Sequence, residues 1–276
     1  MPEGHTVHRL ADRHRELFAG RPVTVDSPQG RFDAGARLLT GTTLRSTEAV
    51  GKHLLHHYDH DRTLHVHLGL YGKFADGTGA APAPVGEVRM RMSGDDHWLE
   101  LRGPAACEVL DPAEVDALRL RLGADPLSSD PDPTRAFARI RTSPTPIASL
   151  LLNQEIIAGT GLIFVTEALY RAGFPPLMPG RSLKPAAWAL LWADLRLLMG
   201  AAVLSGRIDT VRPEHTPEAM GRPPRVDRHG GEVYVYRRDG QPCLVCGTPV
   251  SRAELGGRNI YWCARCQRAG VHRRKA

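Results

Sequence analysis

The sequence predicts an α+β protein of several domains: an N-terminal antiparallel β-sandwich with a leading helix, a helical domain, and a C-terminal hairpin that holds zinc. Three observations support this fold class. Short runs of alternating polarity, separated by Gly, Asp and Pro, fill residues 22–112, and helical spacing of the apolar residues replaces them after residue 112. Four cysteines in two C-x-x-C pairs follow near the C-terminal end. The 276 residues, 42% of them hydrophobic, can bury one large core or two modest ones.

The N-terminal part begins with an amphipathic helix over residues 5–20. Val7, Leu10, His14 and Leu17 recur with helical spacing, and Gly20 ends the pattern. The alternating runs that follow predict strands at 22–26, 52–58, 64–68, 88–92 and 98–101. Residues 75–86 are rich in Gly, Ala and Pro and predict a loop. We expect a sandwich or barrel over residues 1–124.

The rest of the chain divides into a helical part and a metal-binding part. A helix is predicted at 114–122, a Pro- and Asp-rich linker at 125–133, and four helices at 134–141, 147–156, 162–172 and 185–205. Residues 209–231 predict a loop because Pro, Gly and Arg dominate them, and 232–236 predict a strand. The expected domains are therefore 1–124, 125–231 and 232–270.

The four cysteines form the most specific motif in the sequence. Cys243, Cys246, Cys263 and Cys266 provide two C-x-x-C turns, and four thiolates are the ligand set of one structural Zn²⁺ ion. Two disulfides are the alternative, but Cys107 would stay unpaired and the polar N-terminus does not resemble a secretory signal. No apolar run approaches the length of a membrane span. We expect a zinc site in a reducing, cytoplasmic compartment.

Positive charge is concentrated at the C-terminal end. Residues 1–220 carry 24 Lys and Arg against 26 Asp and Glu, whereas residues 221–276 carry 12 against 4. A basic segment beside a zinc hairpin indicates a polyanionic partner, of which nucleic acid is the commonest. The alternative is a solvated, arginine-rich tail that serves solubility alone.

A second candidate for chemistry lies at the N-terminus. Removal of Met1 would leave Pro2 with a free secondary amine, and an α-amino group is far less basic than a lysine. Such an amine can attack an aldehyde-type carbon and form an iminium, which acts as an electron sink for elimination. Glu3 could move the proton. The alternative is that Pro2 and Glu3 only lead into a helix whose dipole favours an acid.

Five motifs in a fixed order relate these features to a known family. They are Pro2-Glu3-Gly4, the 50–55 segment VGKHLL, the 67–72 segment HLGLYG, the 154–163 segment with its AGTG turn, and the 257–263 segment GRNIYWC. Together they resemble the family of bifunctional DNA glycosylases that contains formamidopyrimidine-DNA glycosylase and endonuclease VIII. The Pro-Glu-Gly start and the Leu70-Tyr71 pair resemble the endonuclease VIII branch, in particular its actinobacterial members.

The resemblance implies a DNA repair activity with an N-terminal nucleophile. Pro2 matches the residue that displaces a damaged base at C1′ and forms a Schiff base with the sugar, and Glu3 matches its acid/base partner. Lys52, the third residue that we expect in the catalytic site, matches a hairpin lysine that contacts phosphate and sugar near the lesion. The implied reaction removes oxidised bases, pyrimidines in particular, and cleaves the strand by β- or β/δ-elimination.

The same resemblance assigns DNA-binding residues. Leu70 and Tyr71 match the wedge that fills the gap left by the flipped nucleotide. Arg258 matches the arginine at the tip of the zinc hairpin that grips phosphates. The helical domain is then of the helix-two-turns-helix type, and the partner is double-stranded DNA with oxidised bases or abasic sites, bound by a monomer.

Three positions depart from the family pattern. Leu162 stands where the family has an asparagine that contacts a phosphate, Asn153 replaces a common aspartate, and Thr6 replaces a second N-terminal acid. The lost asparagine contact favours, as one alternative, a protein of the same fold that binds damaged or abasic DNA with impaired catalysis. A second alternative is a zinc-ribbon nucleic-acid-binding protein without enzymatic activity.

Six of the thirteen histidines lie between His53 and His67. Alternation places His65 and His67 on one face of a strand, so a second metal site is conceivable. Hydrogen-bonded histidines of a sheet face are the commoner arrangement and the one we expect. Cys107 is expected to be a small buried hydrophobic residue.

Overall fold

The computed structural model describes residues 2–226 and 231–268 of the chain. The chain divides into two compact units, Met1–Leu122 and Gly123–Ala276. Each unit has its own cluster of buried apolar side chains.

Unit 1 (Met1–Leu122) is an antiparallel β-sandwich preceded by a helix. Its elements are α1 Gly4–Phe18, β1 Thr24–Asp26, α2 Asp33–Leu39, β2 Leu44–Val50, β3 His53–Tyr58, β4 Thr63–His67, β5 Lys73–Thr78, β6 Val88–Ser93, β7 His97–Arg102, β8 Ala106–Leu110 and α3 Pro112–Arg121. The two sheets have the orders β1-β6-β7-β5 and β2-β3-β4-β8. Inward-facing residues of both sheets share one core with Val7, Ala11 and Phe18 of α1. The predicted sandwich with a leading helix is confirmed.

The structure corrects the prediction of a loop over 75–86. Residues 75–78 belong to β5, which pairs with β7 in a register that sets Gly77 opposite Trp98. A Cβ atom added at Gly77 would lie 2.7 Å from Cζ2 of the Trp98 indole. Glycine at position 77 therefore leaves room for the indole ring on the sheet. This close contact explains why a residue of low strand propensity, which suggested a loop, occurs within β5. Helix α2 and strands β2 and β8 also lie outside the predicted elements.

Unit 2 (Gly123–Ala276) combines helices with a C-terminal hairpin. Its described elements are α4 Pro133–Ile140, α5 Ile147–Leu152, α6 Leu162–Ala172, α7 Pro185–Ser205, α8 Pro217–Met220, two 3₁₀ turns at Gly180–Ser182 and Pro213–His215, β9 Ser251–Leu255 and β10 Arg258–Trp262. The helix predicted at 147–156 ends at Leu152, and the predicted loop at 209–231 contains α8 and a 3₁₀ turn. Helices α6 and α7 share their core with Ile260, Tyr261 and three of the four cysteines.

Helix α7 is long and apolar enough to cross a membrane, contrary to the expectation that no segment approaches this length. Trp188, Leu191, Leu195 and Met199 on one of its faces are buried in the core of unit 2. Leu190, Leu197 and Leu204 of the same helix are 64%, 65% and 88% exposed, so burial in the core accounts for only part of its apolar sequence.

The prediction of a strand at 232–236 is wrong. The amides of this segment do not pair with a neighbouring strand. The carboxylate of Glu167 on α6 instead accepts hydrogen bonds from the amides of Tyr234 at 2.7 Å and of Val235 and Tyr236 at 2.8 Å. The side chains of this segment are buried, which explains the apolar pattern. One buried acid thus replaces a neighbouring strand as the hydrogen-bond partner.

Candidate active site and zinc centre

Pro2 and Glu3 lie at the start of α1. Glu3 is the N-cap residue, its carbonyl accepts the amide of Thr6 at 3.0 Å, and only 1% of the residue is exposed. Pro2 immediately before it is half-buried. The N-terminal end of a 15-residue helix carries a partial positive charge, which favours the neutral form of an amine placed there.

Lys52 lies at the tip of a tight hairpin. Val50 pairs with His53, so Gly51 and Lys52 alone connect β2 to β3. Gly51 has a φ of 60°, as the first central residue of a type II′ turn requires, while Lys52 needs no unusual conformation. The two-residue turn thereby fixes the origin of the lysine side chain.

Leu70 and Tyr71 form an exposed apolar pair on the loop between β4 and β5. Their exposed fractions are 57% and 81%, unusual for neighbouring large apolar residues. The loop beneath them is tightly folded: the amide of Gly72 donates to the carbonyl of Leu68 at 2.9 Å, and a Cβ atom at Gly69 would lie 2.7 Å from Cβ of Ala105. A rigid base with an apolar tip suits insertion between bases.

The connection between α5 and α6 is organised by Gln154. Its Nε2 donates to the carbonyls of Leu152 at 3.1 Å and Thr160 at 3.0 Å, while its Oε1 accepts the amide of Gly159 at 3.0 Å. This residue was part of the predicted motif, but its role in closing the turns was not anticipated. Leu162 is the first residue of α6 and packs half-buried against the core of unit 2.

The four cysteines converge on one point. The Sγ atoms of Cys243, Cys246, Cys263 and Cys266 all lie within 4.8 Å of one another, with 3.9 Å between Cys243 and Cys266 and 3.4 Å between Cys246 and Cys263. Four sulfurs at Zn–S distances of about 2.3 Å in a tetrahedron are roughly 3.8 Å apart, so the group fits one zinc ion. The donor set is that of a closed structural site, where zinc supplies rigidity and no open coordination position.

Two residues outside the motif support the zinc ligands. The Tyr170 hydroxyl of α6 lies 3.2 Å from Sγ of Cys243. Gln267 accepts the Cys263 amide at 2.8 Å and donates to the carbonyl of Phe174 at 2.8 Å. Such outer contacts orient metal ligands. Sequence spacing could not reveal Tyr170, which lies 73 residues before Cys243.

Arg258 occupies the tip of the zinc hairpin. Gly256 and Gly257, with φ values of 58° and 72°, form the two-residue turn between β9 and β10, and Arg258 begins β10 directly after it. The residue is exposed, and no salt bridge holds it among residues 2–226 and 231–268. Its guanidinium is accordingly presented to solvent on a rigid support.

Arginines of the 209–231 segment differ from Arg258. Arg222 forms a salt bridge with Glu232 at 2.6 Å, and Arg225 donates through its amide to the same carboxylate at 2.6 Å. These contacts assign both residues to the internal structure of unit 2. Arg228, in the same segment, lies outside the described residues.

The histidine-rich strands carry hydrogen-bonded histidines. His14 Nδ1 lies 3.0 Å from His56 Nε2 in the core, and burial lowers the pKa of His14 to about 4 and that of His56 well below its usual value. Among residues 2–226 and 231–268, the four cysteines form the one group of three or more side chains suited to a metal. Cys107 is half-buried against the sandwich core, and burial raises its pKa to about 12.

Family comparisons agree with this architecture. The N-terminal domain model of formamidopyrimidine-DNA glycosylase matches residues 1–108, the H2TH domain model of the same enzyme matches residues 122–212, and a zinc finger model found in FPG and IleRS matches residues 240–269. The helix-two-turns-helix and zinc predictions are therefore confirmed.

Individual relatives extend over nearly the whole chain. Endonuclease 8 1 of Mycobacterium tuberculosis strain H37Rv is 47% identical over 274 residues, covering 97% of this chain and 100% of the relative. Probable endonuclease 8 2 of Streptomyces coelicolor is 31% identical, with 97% and 94% covered.

A solved structure has the same fold. The complex of Lactococcus lactis Fpg with DNA that contains an abasic site superimposes with a TM-score of 0.79 at 23% identity, covering 96% of this chain and 99% of the other. Taken with the family matches along the chain, the sandwich, the H2TH helices and the four-cysteine hairpin lead to one conclusion. The protein belongs to the family of bifunctional DNA glycosylases and AP lyases that contains formamidopyrimidine-DNA glycosylase and endonuclease VIII.

Proposed function

We propose that the protein removes oxidised bases, preferentially pyrimidines, from double-stranded DNA through a Schiff base on Pro2 and then cleaves the strand by elimination. The observation that carries the proposal is the pairing of Pro2 with the buried Glu3 at the N-terminal end of α1. The preference for pyrimidines rests on the endonuclease VIII-like Pro-Glu-Gly start and on relatives that are named endonuclease 8.

The chemistry requires that removal of Met1 exposes the Pro2 amine. The lone pair of this amine attacks C1′, the N-glycosidic bond breaks, and its electrons leave with the base, which takes up a proton. The nitrogen then loses its proton, its lone pair forms the iminium with C1′ as the C1′–O4′ bond breaks, and O4′ takes up a proton. Glu3 is the acid/base group adjacent in the chain.

Strand cleavage follows from the electron sink on C1′. Loss of a proton from C2′ drives release of the 3′-phosphate, and a second elimination releases the 5′-phosphate. Water hydrolyses the iminium and restores the Pro2 amine. No oxidant or metal is consumed in these steps.

Lys52 completes the proposed catalytic site, and three further residues receive DNA-binding roles. Lys52 on its two-residue hairpin contacts phosphate and sugar near the lesion, and Leu70 and Tyr71 fill the gap left by the flipped nucleotide. Arg258 contacts phosphates from the zinc hairpin. The exposure of Leu70, Tyr71 and Arg258 supports these roles, because side chains without a structural function are available for a ligand.

Borohydride trapping tests the proposal directly. The protein is incubated with a duplex that holds one oxidised pyrimidine or one abasic site, reduced, digested and analysed by mass spectrometry. We expect a DNA adduct on the Pro2 peptide. An adduct elsewhere, or no adduct, contradicts the proposed chemistry.

A matched control isolates the amine. An N-terminal Gly-Ser extension keeps every residue of the chain but converts the Pro2 nitrogen to an amide. We expect this protein to bind the duplex and to form no Pro2 adduct. Intact-mass measurement of the unextended protein shows whether Met1 has been removed.

Leu162 favours a second candidate function, recognition of damaged or abasic DNA with slow excision. Its side chain packs against the core and cannot donate to a phosphate. Leu162→Asn is the test: a large rise in turnover shows that the natural protein is impaired, whereas unchanged turnover shows that the contact is dispensable. The interpretation as a zinc-ribbon protein with an accidental N-terminal match is wrong, because the glycosylase domain model matches residues 1–108.

A protein with this substrate acts where bacterial DNA lies. We therefore propose a cytoplasmic location, with association to the nucleoid when DNA is bound.

A further inference from the structure

Three histidines and one acid meet on the outer face of the β2-β3-β4-β8 sheet. His53 of β3 and His67 of β4 are cross-strand partners whose rings stack with centroids 4.9 Å apart. The rings of His53 and His65 are nearly coplanar neighbours, with centroids 5.1 Å apart and with His53 Nδ1 and His65 Nε2 separated by 2.8 Å, a hydrogen-bond distance. His65 Nδ1 lies 2.9 Å from Oε1 of Glu108 on β8. We call these four residues the histidine cluster.

Two hydrogen bonds run through the histidine cluster. Because the Glu108 carboxylate can only accept, His65 Nδ1 carries the hydrogen of the first bond. The second bond joins His65 Nε2 to His53 Nδ1, and one of these two ring nitrogens donates to the other.

The surroundings of His53 favour the neutral form of its ring. The pKa of His53 is lowered to about 3, chiefly by burial. Positive charge on the neighbouring side chains, which are His65, His67, Arg121 and Lys52, lowers it further. Burial likewise lowers the pKa of His67. Glu108 of β8 is the acid that faces His65, and Arg121 of α3 is the neighbouring fixed cation.

The histidine cluster connects the supports of two DNA-contacting loops. His53 directly follows Lys52, the tip of the β2–β3 hairpin, and His67 ends β4 just before the loop that carries Leu70 and Tyr71. The amide of Ala105 additionally holds the carbonyl of His67 at 2.8 Å. The ring pair His53–His67 is therefore a side-chain contact that joins the lysine hairpin to the base of the wedge loop.

We propose that His53 is a positioning residue that fixes the separation between Lys52 and the Leu70-Tyr71 wedge. Lys52 must hold the lesion-flanking backbone while the wedge occupies the vacated stack, so a fixed separation lowers the cost of forming the bound state. This role rests on the proposed DNA-binding functions of Lys52, Leu70 and Tyr71. It adds a residue that contacts no DNA itself.

Hydrogen exchange of the DNA-free protein tests the positioning role independently of catalysis. Mass spectrometry compares the wild type with His53→Ala and His53→Phe, the latter keeping a ring for stacking. We expect His53→Ala to accelerate exchange in residues 49–54 and 67–72 roughly tenfold, the effect of losing one buried hydrogen bond together with a ring contact. His53→Phe should restore at least half of the protection.

His57→Phe is the matched control. His57 lies on the same face of β3, bonded to Thr63 at 3.0 Å and Glu48 at 3.1 Å, but far along the strand from both loops. It should leave exchange in 67–72 unchanged. Unchanged exchange at both loops in His53→Ala, or equal acceleration by His57→Phe, overturns the proposal.

A DNA readout links the histidine cluster to the reaction. The fluorescence of 2-aminopurine opposite an abasic site reports wedge insertion, and we expect His53→Ala to raise the DNA concentration needed for half-maximal signal roughly tenfold with little change in the saturated trapping rate. A fall in the saturated trapping rate as large as the rise in the half-maximal DNA concentration overturns the positioning role. A wild type that forms no Pro2 adduct contradicts the proposed function, while the exchange experiment still decides whether His53 positions the two loops.

Discussion

The exposure of Arg258 and the hairpin that carries it together support its proposed contact with phosphate. Two glycines with positive φ create the turn before it, and β9 and β10 hold that turn on the zinc hairpin. The guanidinium of Arg222, by contrast, is bound to Glu232, and that of Arg225 donates to the carbonyls of Gly231 and Tyr236. An exposed guanidinium on a rigid hairpin is the arrangement expected of a phosphate contact.

Arg258→Ala should therefore weaken DNA binding without affecting the fold. We expect loss of one charged phosphate contact to reduce affinity roughly tenfold or more and to lower the salt dependence of binding. Fluorescence anisotropy at two or more salt concentrations measures both quantities. The zinc content should stay at one ion per chain, and unchanged affinity would show that the hairpin does not grip DNA.

Arg252→Ala is a suitable control for this prediction. Arg252 lies on β9 of the same hairpin and forms a salt bridge with Asp239 at 3.5 Å. An exposed bridge of this kind contributes little to stability. Equal loss of affinity in both variants would indicate a general charge effect rather than a specific contact.

Buried histidines give the sandwich a pH-dependent stability. His5 and His14 have pKa values lowered to about 4, for both chiefly through burial, against about 6.5 in an unfolded chain. The unfolded state thus binds more protons than the folded state between these values, so stability rises with pH over this window. The stabilisation is fully present above pH 6.5 and decreases as the pH falls towards 4.

Urea unfolding of the protein between pH 4.5 and pH 7.5 checks this prediction. Below pH 6.5 we expect His5 and His14 each to lower the free energy of unfolding of the sandwich by roughly 1 kcal/mol per pH unit. His53, His56 and His67, whose pKa values are lowered as well, should add to the slope in the same direction. His14→Phe should reduce the slope. A flat profile between pH 5 and pH 6.5 would contradict the assigned pKa values.

At the scale of elements, Glu167 determines the course of the segment between the helices and the zinc hairpin. Fully buried on α6, it accepts three backbone amides of residues 234–236 and the hydroxyl of Thr210 at 2.6 Å. An ionised carboxylate can accept four hydrogen bonds, so its capacity is used completely. The segment consequently folds without a partner strand.

Glu167→Ala should destabilise unit 2 strongly. Three amides and one hydroxyl would lose their acceptor in a buried site, and we expect a loss of roughly 3 kcal/mol or more, measured by urea unfolding. Glu167→Gln keeps one carbonyl oxygen and should cost less. A loss below about 1 kcal/mol for the alanine variant would show that water replaces the carboxylate.

At the scale of the whole molecule, the zinc hairpin and the helices of unit 2 share one core. Tyr170 approaches Cys243 from α6, and Gln267 bridges the four-cysteine group to the carbonyl of Phe174. Zinc binding to such a site contributes to folding free energy. The ion therefore stabilises more than the hairpin that ligates it.

Removal of zinc should melt unit 2 and leave the sandwich folded. Unit 1 has a separate core and no cysteine of the motif, so chelation should not reach it. We expect hydrogen exchange in α6 and the hairpin to accelerate after treatment with a strong chelator, with β3 and β4 unchanged. Uniform acceleration across both units would show that their stabilities are coupled.

The sequence by itself determined which kind of structure each part of this protein forms. Alternation predicted the sandwich, helical spacing predicted the helices, and the C-x-x-C pairs predicted zinc, because each of these signals depends on residues close together in the chain. The order of the five motifs likewise indicated the glycosylase family. The division into domains at residues 124 and 231, and the roles of the site residues, stay predictions.

Only the tertiary structure decided what depends on residues far apart in the chain. It showed Gly77 beneath Trp98, Glu167 in place of a strand, Tyr170 beside the zinc ligands and the histidine cluster behind Lys52. Alternation placed His65 and His67 on one face of a strand, but sequence spacing does not identify the partner in any of these contacts, because the partners lie far apart in the chain or on different strands. Local patterns thus select the elements, and long-range contacts select which side chains are left for function.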